Sequence, residues 1–229
     1  MIKAIITDIE GTTTSLSFVK NILFPYARNH IQDFVLSHTN QKEVRTLLDD
    51  VKKEVGRELS DIEIMTQLVR WIDEDKKITP LKALQGMIWE AGYRHGDFTG
   101  HVYEDAVRNL RRWHELGIAL YVFSSGSVQA QRLIFGYSDH GDLTPFFSDY
   151  FDTSIGAKRD VDSYKKIAAV IAIDPSQILF LSDVKEELDA ARNAGMQTIW
   201  LVREGMIDAH ASHKQVQDFD AIPSLTKVE

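Results

Sequence analysis

The chain of 229 residues contains no cysteine. Disulfides, thiolate metal sites and a cysteine nucleophile are therefore excluded, while the redox compartment stays undecided. No apolar run approaches the roughly 18 residues that a membrane span requires. Met1 leads straight into a predicted strand, without the basic, apolar and small-residue sequence of a signal peptide. A cytoplasmic monomer with no membrane partner is expected. Positive charge is also in short supply, because 26 Lys and Arg face 34 Asp and Glu for a net charge of -8. That balance disfavours nonspecific binding to nucleic acid or an anionic membrane surface, and an anionic substrate would need a local positive site. The 8 histidines include no His-x-x-x-His pair, so hard oxygens are the ligands on offer and zinc is disfavoured. No internal repeat or low-complexity tract is present. With 44% hydrophobic and 26% charged residues, the chain is long enough for one sizeable domain or one plus a smaller insert.

The most informative segment is the first one. Ile2 to Ile6 reads as a buried strand and runs into Thr7-Asp8-Ile9-Glu10-Gly11-Thr12. In open α/β sheets, ligands bind beyond the carboxyl ends of the strands, where Asp8 is the first residue. Strand alternation would point Asp8 and Glu10 the same way, and two acids in one small volume repel unless a cation, a shared proton or water relieves them. The plain alternative is an Asx-turn or helix cap.

After Thr14 the periodicity turns helical for about a third of the chain and predicts an inserted cap over residues 16–96. Phe18, Ile22, Ala27, Ile31 and Val35 mark apolar faces interrupted at Pro25. Ile62, Met65, Val69 and Ile72 predict a second stripe, and Leu81, Leu84, Ile88 and Trp89 a third helix closed by Gly92. From Glu104 onward strands and helices alternate, with strands expected at Ile118 to Phe123, Tyr150 to Thr153, Ile178 to Leu181 and Thr198 to Val202. The fold class expected is α/β: a Rossmann-like parallel sheet formed by residues 1–15 and 97–229, interrupted by the helical cap.

Three further strand ends carry polar chemistry. Phe123-Ser124-Ser125-Gly126-Ser127 offers hydroxyls and helix-terminal amides suited to a phosphate oxygen, although serine N-capping is the simpler use. Lys158, in Gly156-Ala157-Lys158, is an ordinary surface lysine unless carboxylates and a phosphate stand beside it. Leu181-Ser182-Asp183 places another acid at a strand end, followed by Glu186 and Glu187. Asp8, Asp183 and the carbonyl around Glu10 make an oxygen set suited to Mg²⁺, and Asp8, Glu10 and Asp183 are the candidate metal residues.

This ordered set resembles the haloacid dehalogenase superfamily. Asp8-x-Glu10-Gly11-Thr12, Ser124, Lys158 and Asp183 match its four motifs. Glu10 departs from the usual second aspartate, Ser182 from the common glycine, and Glu187 stands where a second aspartate often sits. With Phe123-Ser-Ser-Gly-Ser-Val-Gln-Ala-Gln and Leu181-Ser-Asp-Val-Lys-Glu-Glu-Leu-Asp-Ala-Ala, these departures are similar to the enolase-phosphatase family of methionine salvage, over essentially the whole chain. The resemblance implies a Mg²⁺ enzyme that enolises 2,3-diketo-5-methylthiopentyl-1-phosphate and then removes its phosphate. It implies Asp8 as nucleophile, Glu10 as proton shuttle, and Lys158 with Ser124 and Ser125 as phosphate contacts. For the enolisation base Glu10 is the first candidate and a cap residue the second. The rivals are a phosphatase or phosphomutase acting on a sugar phosphate, a metal-free dehalogenase, which leaves Asp183 and Glu10 without a reason to be acidic, and a noncatalytic module, which predicts a lost motif acid.

Overall fold

A computed structural model describes residues 1–225. The chain divides into two compact units, one formed by Met1–Leu16 with Gly100–Glu229 and the other by Ser17–Thr99. In chain order the elements are β1 (Ala4–Thr7), α1 (Leu16–Phe18), α2 (Phe24–His38), α3 (Lys42–Val55), α4 (Asp61–Asp73), α5 (Thr79–His95), α6 (Glu104–Glu115), β2 (Ala119–Phe123), α7 (Val128–Gly136), β3 (Asp149–Phe151), α8 (Val161–Ile171), β4 (Ile178–Ser182), α9 (Lys185–Asn193), β5 (Gln197–Leu201) and β6 (Lys214–Val216).

Among the described residues all six strands are parallel, in the order β3-β2-β1-β4-β5-β6. This is the order of a doubly wound Rossmann sheet, whose winding reverses beside the first strand and opens a crevice there. The expected fold class is therefore the observed one. β1 has no exposed residue because it is the central strand, and its apolar Ala4-Ile5-Ile6 follows from burial on both faces. Ala4, Ile6, Phe123, Tyr164, Ile167, Ile178, Phe180 and Leu188 belong to one buried cluster against this sheet. The register fixes what the strand ends can bring together. Thr7 lies opposite both Val122 and Leu181, so Asp8, Ser124 and Asp183 emerge at one edge within a residue of one level.

In the helical unit α2 packs against α4 and α5, and α3 packs against the same two helices. Here the sequence pattern is corrected in three places. A π-helical turn over Val19–Leu23 precedes α2; it buries Val19 and Leu23 and leaves Ile22 42% exposed, because the wider turn rotates the apolar stripe. In α4 the buried residues are Ile64, Met65, Leu68, Trp71 and Ile72, while Ile62 is 72% exposed. The face carrying Leu68 and Trp71 removes more apolar surface from water than the one through Ile62 and Val69. Gly92 does not close α5, which runs on to a left-handed cap at Gly96.

Gly92 is instead a packing residue, since a Cβ there would stand 2.6 Å from Phe98 Cε1 and 2.8 Å from Tyr26 Cε1. Gly92→Ala sets a helix-propensity gain of about 1 kcal/mol against an overpacking cost of about 1–3 kcal/mol. With both contacts well under 3.0 Å the cost falls in the upper part of that range, and a net loss of roughly 1–2 kcal/mol is expected in denaturant titration. An unchanged or raised midpoint would contradict this packing role.

Candidate active site

The turn after β1 is held by a single carbonyl. Ile9 O accepts the N–H groups of Thr12, Thr13 and Thr14 at 3.1, 3.0 and 2.9 Å, and Gly11 N donates back to Thr14 O at 2.8 Å. Gly11 makes this possible with φ +71°, and a Cβ on it would overlap the Asp183 carboxylate. The acid-bearing turn and the acid after β4 are thus in direct apposition. Asp8 is 4% exposed, and its N–H donates to Leu181 O at 2.9 Å. Its carboxylate does not cap a turn: Oδ1 accepts from Lys158 Nζ at 2.6 Å. Lys158 Nζ also stands 2.7 Å from Glu187 Oε2, and that oxygen accepts from Ser182 Oγ at 2.9 Å.

Lys158 is an interior cation rather than a surface one, with 9% of its side chain exposed. Its backbone is set by Tyr164, whose hydroxyl donates to Lys158 O at 2.7 Å, and by Ser163, whose hydroxyl donates to Ala157 O at 2.7 Å. Burial works against its charge, but Asp8 and Glu187 outweigh it and raise the Lys158 pKa. The turn after β2 separates architecture from chemistry. Ser127 is the cap of α7, accepting the Ala130 N–H at 3.3 Å, so Ser124 and Ser125 are not needed for capping. Ser124 Oγ accepts from Gly126 N at 3.3 Å, which leaves its own proton to donate. Gln131, fully buried, donates to Gly126 O and Phe151 O at 2.9 and 2.8 Å and fixes this loop against β3.

A cavity of about 180 Å³ is lined by Asp8, Glu10, Ser124, Ser125, Lys158, Asp183 and Glu187 together with Leu16 and Val184. All six residues singled out from the sequence meet there. Glu187, noted beforehand only as a departure from a motif, joins them as the second partner of Lys158. Its signal was its place in the first turn of α9 behind Ser182. Among the described residues, no group of three or more His, Asp or Glu side chains is arranged to hold a metal. Asp8, Glu10 and Asp183 therefore do not form a three-carboxylate cage. Glu10 sits farther round the turn, where its backbone pairs with Thr14.

The donor set nonetheless fits a hard divalent cation. Asp183 Oδ1 is buried without a hydrogen-bond partner among the described residues. Among the described residues, Asp8, Asp183 and Glu187 together meet only one ammonium, which leaves two negative charges unbalanced when all three are ionised. In consequence burial and then the nearby Asp8 push Asp183 up to about 7, and the same two causes push Glu187 up to about 7.

A model of the haloacid dehalogenase-like hydrolases matches residues 2–195. The chain belongs to this hydrolase family. It is 61% identical over 223 residues to an enolase-phosphatase E1 of Methylococcus capsulatus, covering 97% of this chain and 98% of that protein. It is 54% identical to an enolase-phosphatase E1 of Thioalkalivibrio sulfidiphilus, covering 97% and 99%. The crystal structure of the UTR4 protein of Saccharomyces cerevisiae superposes with a TM-score of 0.82 at 30% identity, covering 97% of this chain and all of that one.

The carboxyl groups of Asp183 and Glu187 hold more protons in the folded than in the unfolded chain, where their values are near 3.8 and 4.5. Without metal, stability should fall as pH rises from about 4 through about 7, since the native state then has to accept buried charge. Thermal midpoints of chelated protein between pH 5 and pH 8 would measure this. Saturating Mg²⁺ should flatten the profile, and a flat profile without metal would count against the buried acids.

Proposed function

We propose that the chain is a bifunctional enolase-phosphatase of methionine salvage, converting 2,3-diketo-5-methylthiopentyl-1-phosphate into its enol phosphate and then into the acireductone. The observation that carries this reading is the Lys158-anchored carboxylate of Asp8 in a cavity shared with Ser124, Ser125, Glu10 and Asp183. Near full-length similarity to enolase-phosphatases supports the substrate. Asp8 and Asp183, with the main-chain carbonyl of Glu10, would hold a magnesium ion. When bound, it supplies charge neutralisation at the phosphoryl oxygens.

Lys158 fixes the direction of the Asp8 carboxylate, and its ammonium offsets charge on the phosphoryl group. The Ser124 and Ser125 hydroxyls donate to the non-bridging oxygens. Asp8 attacks phosphorus, the bond from phosphorus to the C1 oxygen breaks, and Glu10 gives that oxygen its proton. Glu10 then takes a proton from water, which attacks the aspartyl-phosphate, releasing inorganic phosphate and restoring Asp8. In the preceding enolisation, Glu10 is the first choice for removing the proton from C1 beside the ketone, and the C2 oxygen takes up a proton from solvent to give the enol, leaving Glu10 protonated for the leaving oxygen. The unit Ser17–Thr99 is assigned the role of a substrate-selecting cap, and the protein that of a cytoplasmic monomer.

The test follows enol absorbance and free phosphate together, in Mg²⁺, with a sugar phosphate as control. Asp8→Asn should abolish phosphate release. Glu10→Gln should slow hydrolysis by about 10²–10⁴-fold, the usual worth of a positioned acid-base group. Turnover by Asp8→Asn would refute the nucleophile, enol formation by Glu10→Gln would remove Glu10 as the enolisation base, and phosphate release without an enol signal would favour a sugar-phosphate enzyme.

A further inference from the structure

The two acid-bearing loops are held from behind by the end of β5, in contacts that the reaction does not use. Arg203 Nε and Nη2 both donate to Thr12 O, at 2.9 and 2.7 Å, and Nη1 donates to Asp105 Oδ2 at 2.7 Å. That same Asp105 oxygen accepts the Phe219 N–H at 2.7 Å. The guanidinium carbon lies 4.1 Å from the Tyr103 ring centroid and 5.2 Å from that of Phe219, and 9% of the side chain is exposed. Three residues earlier, Trp200 Nε1 donates to Asp183 O at 2.9 Å.

From these contacts we infer that Arg203 and Trp200 are positioning residues for phosphoryl transfer, holding the Asp8–Thr14 turn and the Asp183 loop at a fixed separation. Arg203 is committed by its partners to a carbonyl and a carboxylate and lies over two aromatic rings, so it is not a free anion receptor. Thr12 is a sensitive point to hold, since its N–H shares the Ile9 carbonyl with those of Thr13 and Thr14. Movement of Thr12 therefore carries the backbone next to Asp8 and Glu10 with it. Lysine cannot replace the guanidinium, because a single ammonium lacks the planar fork that reaches Thr12 O and Asp105 together. Outer partners of this kind are commonly worth 10–100-fold in activity or metal affinity.

The inference rests on Asp8 being the nucleophile and on Asp8 and Asp183 being the acids that hold the metal, and the experiment separates the two ideas. Arg203→Lys should lower kcat on the diketo phosphate by at least about tenfold with KM within about twofold. In Arg203→Ala, millimolar guanidinium but not ammonium should restore part of that loss. Trp200→Phe should weaken Mn²⁺ binding, read by electron paramagnetic resonance without substrate, by about tenfold. Ile167→Ala, a core change, serves as the control for lost stability. The proposal is overturned if Arg203→Lys turns over like the unmodified enzyme, or if its kcat loss is no greater than that of Ile167→Ala at equal loss of melting temperature. It is overturned equally if Trp200→Phe binds Mn²⁺ unchanged, a result that decides the matter even where the Arg203 variants fail to fold. Should the unmodified protein bind Mn²⁺ but release no phosphate, the functional reading fails, while the Trp200 measurement still tests the inference.

Discussion

The ion pair between Lys158 and Asp8 joins residues 150 apart in the chain, and the site is organised around it. An ammonium enclosed this fully is costly to desolvate and persists only with charge beside it. Asp8 supplies that charge from the end of β1 and Glu187 from the first turn of α9. Three loops of the sheet edge thus converge on one nitrogen. The aromatic packing beneath serves the same end, since Tyr164 stands edge-on to Phe123 and Phe180 and bonds the Lys158 carbonyl.

Charge imbalance explains why this edge suits phosphoryl chemistry. A neutral, fully paired pocket would give a divalent cation little to bind, whereas surplus carboxylates recruit one and can take a dianionic ester only in its company. Here the acids exceed the bases, and Asp183 keeps an oxygen without a partner among the described residues. Apposition of Gly11 and Asp183 brings the first and fourth strand ends together without a side chain between them. The surplus negative charge accordingly falls on the acids that follow β1 and β4, and Lys158 and the two serines line the same cavity.

Much of this was legible from the sequence, because the strands are short apolar runs that end abruptly in acid, hydroxyl or lysine. Asp8, Ser124 and Asp183 stood out as candidates at those endings, while Lys158, seven residues beyond β3, took its weight only from their company. Burial faces of the helices were less legible. The π-helical turn displaced Ile22, and the competing face through Leu68 and Trp71 displaced Ile62. Gly92 looked like a terminator since a glycine's packing role depends on neighbours distant in sequence, here Tyr26 and Phe98. β6, only Lys214–Val216, follows an irregular stretch and carries no alternation long enough to read. Arg203 stands in no motif, and its meaning comes from Thr12 and Asp105, far from it along the chain.

The assignment of capping to Ser127 has an evolutionary corollary. With the first turn of α7 secured by that hydroxyl and the loop tied down by Gln131, Ser124 and Ser125 are released from capping the helix, Ser124 keeping only a turn bond from Gly126 N–H. Selection can exchange one small polar donor for another there while the helix behind stays wound. A protein arranged this way can retune its grip on an anion without first losing its ability to fold.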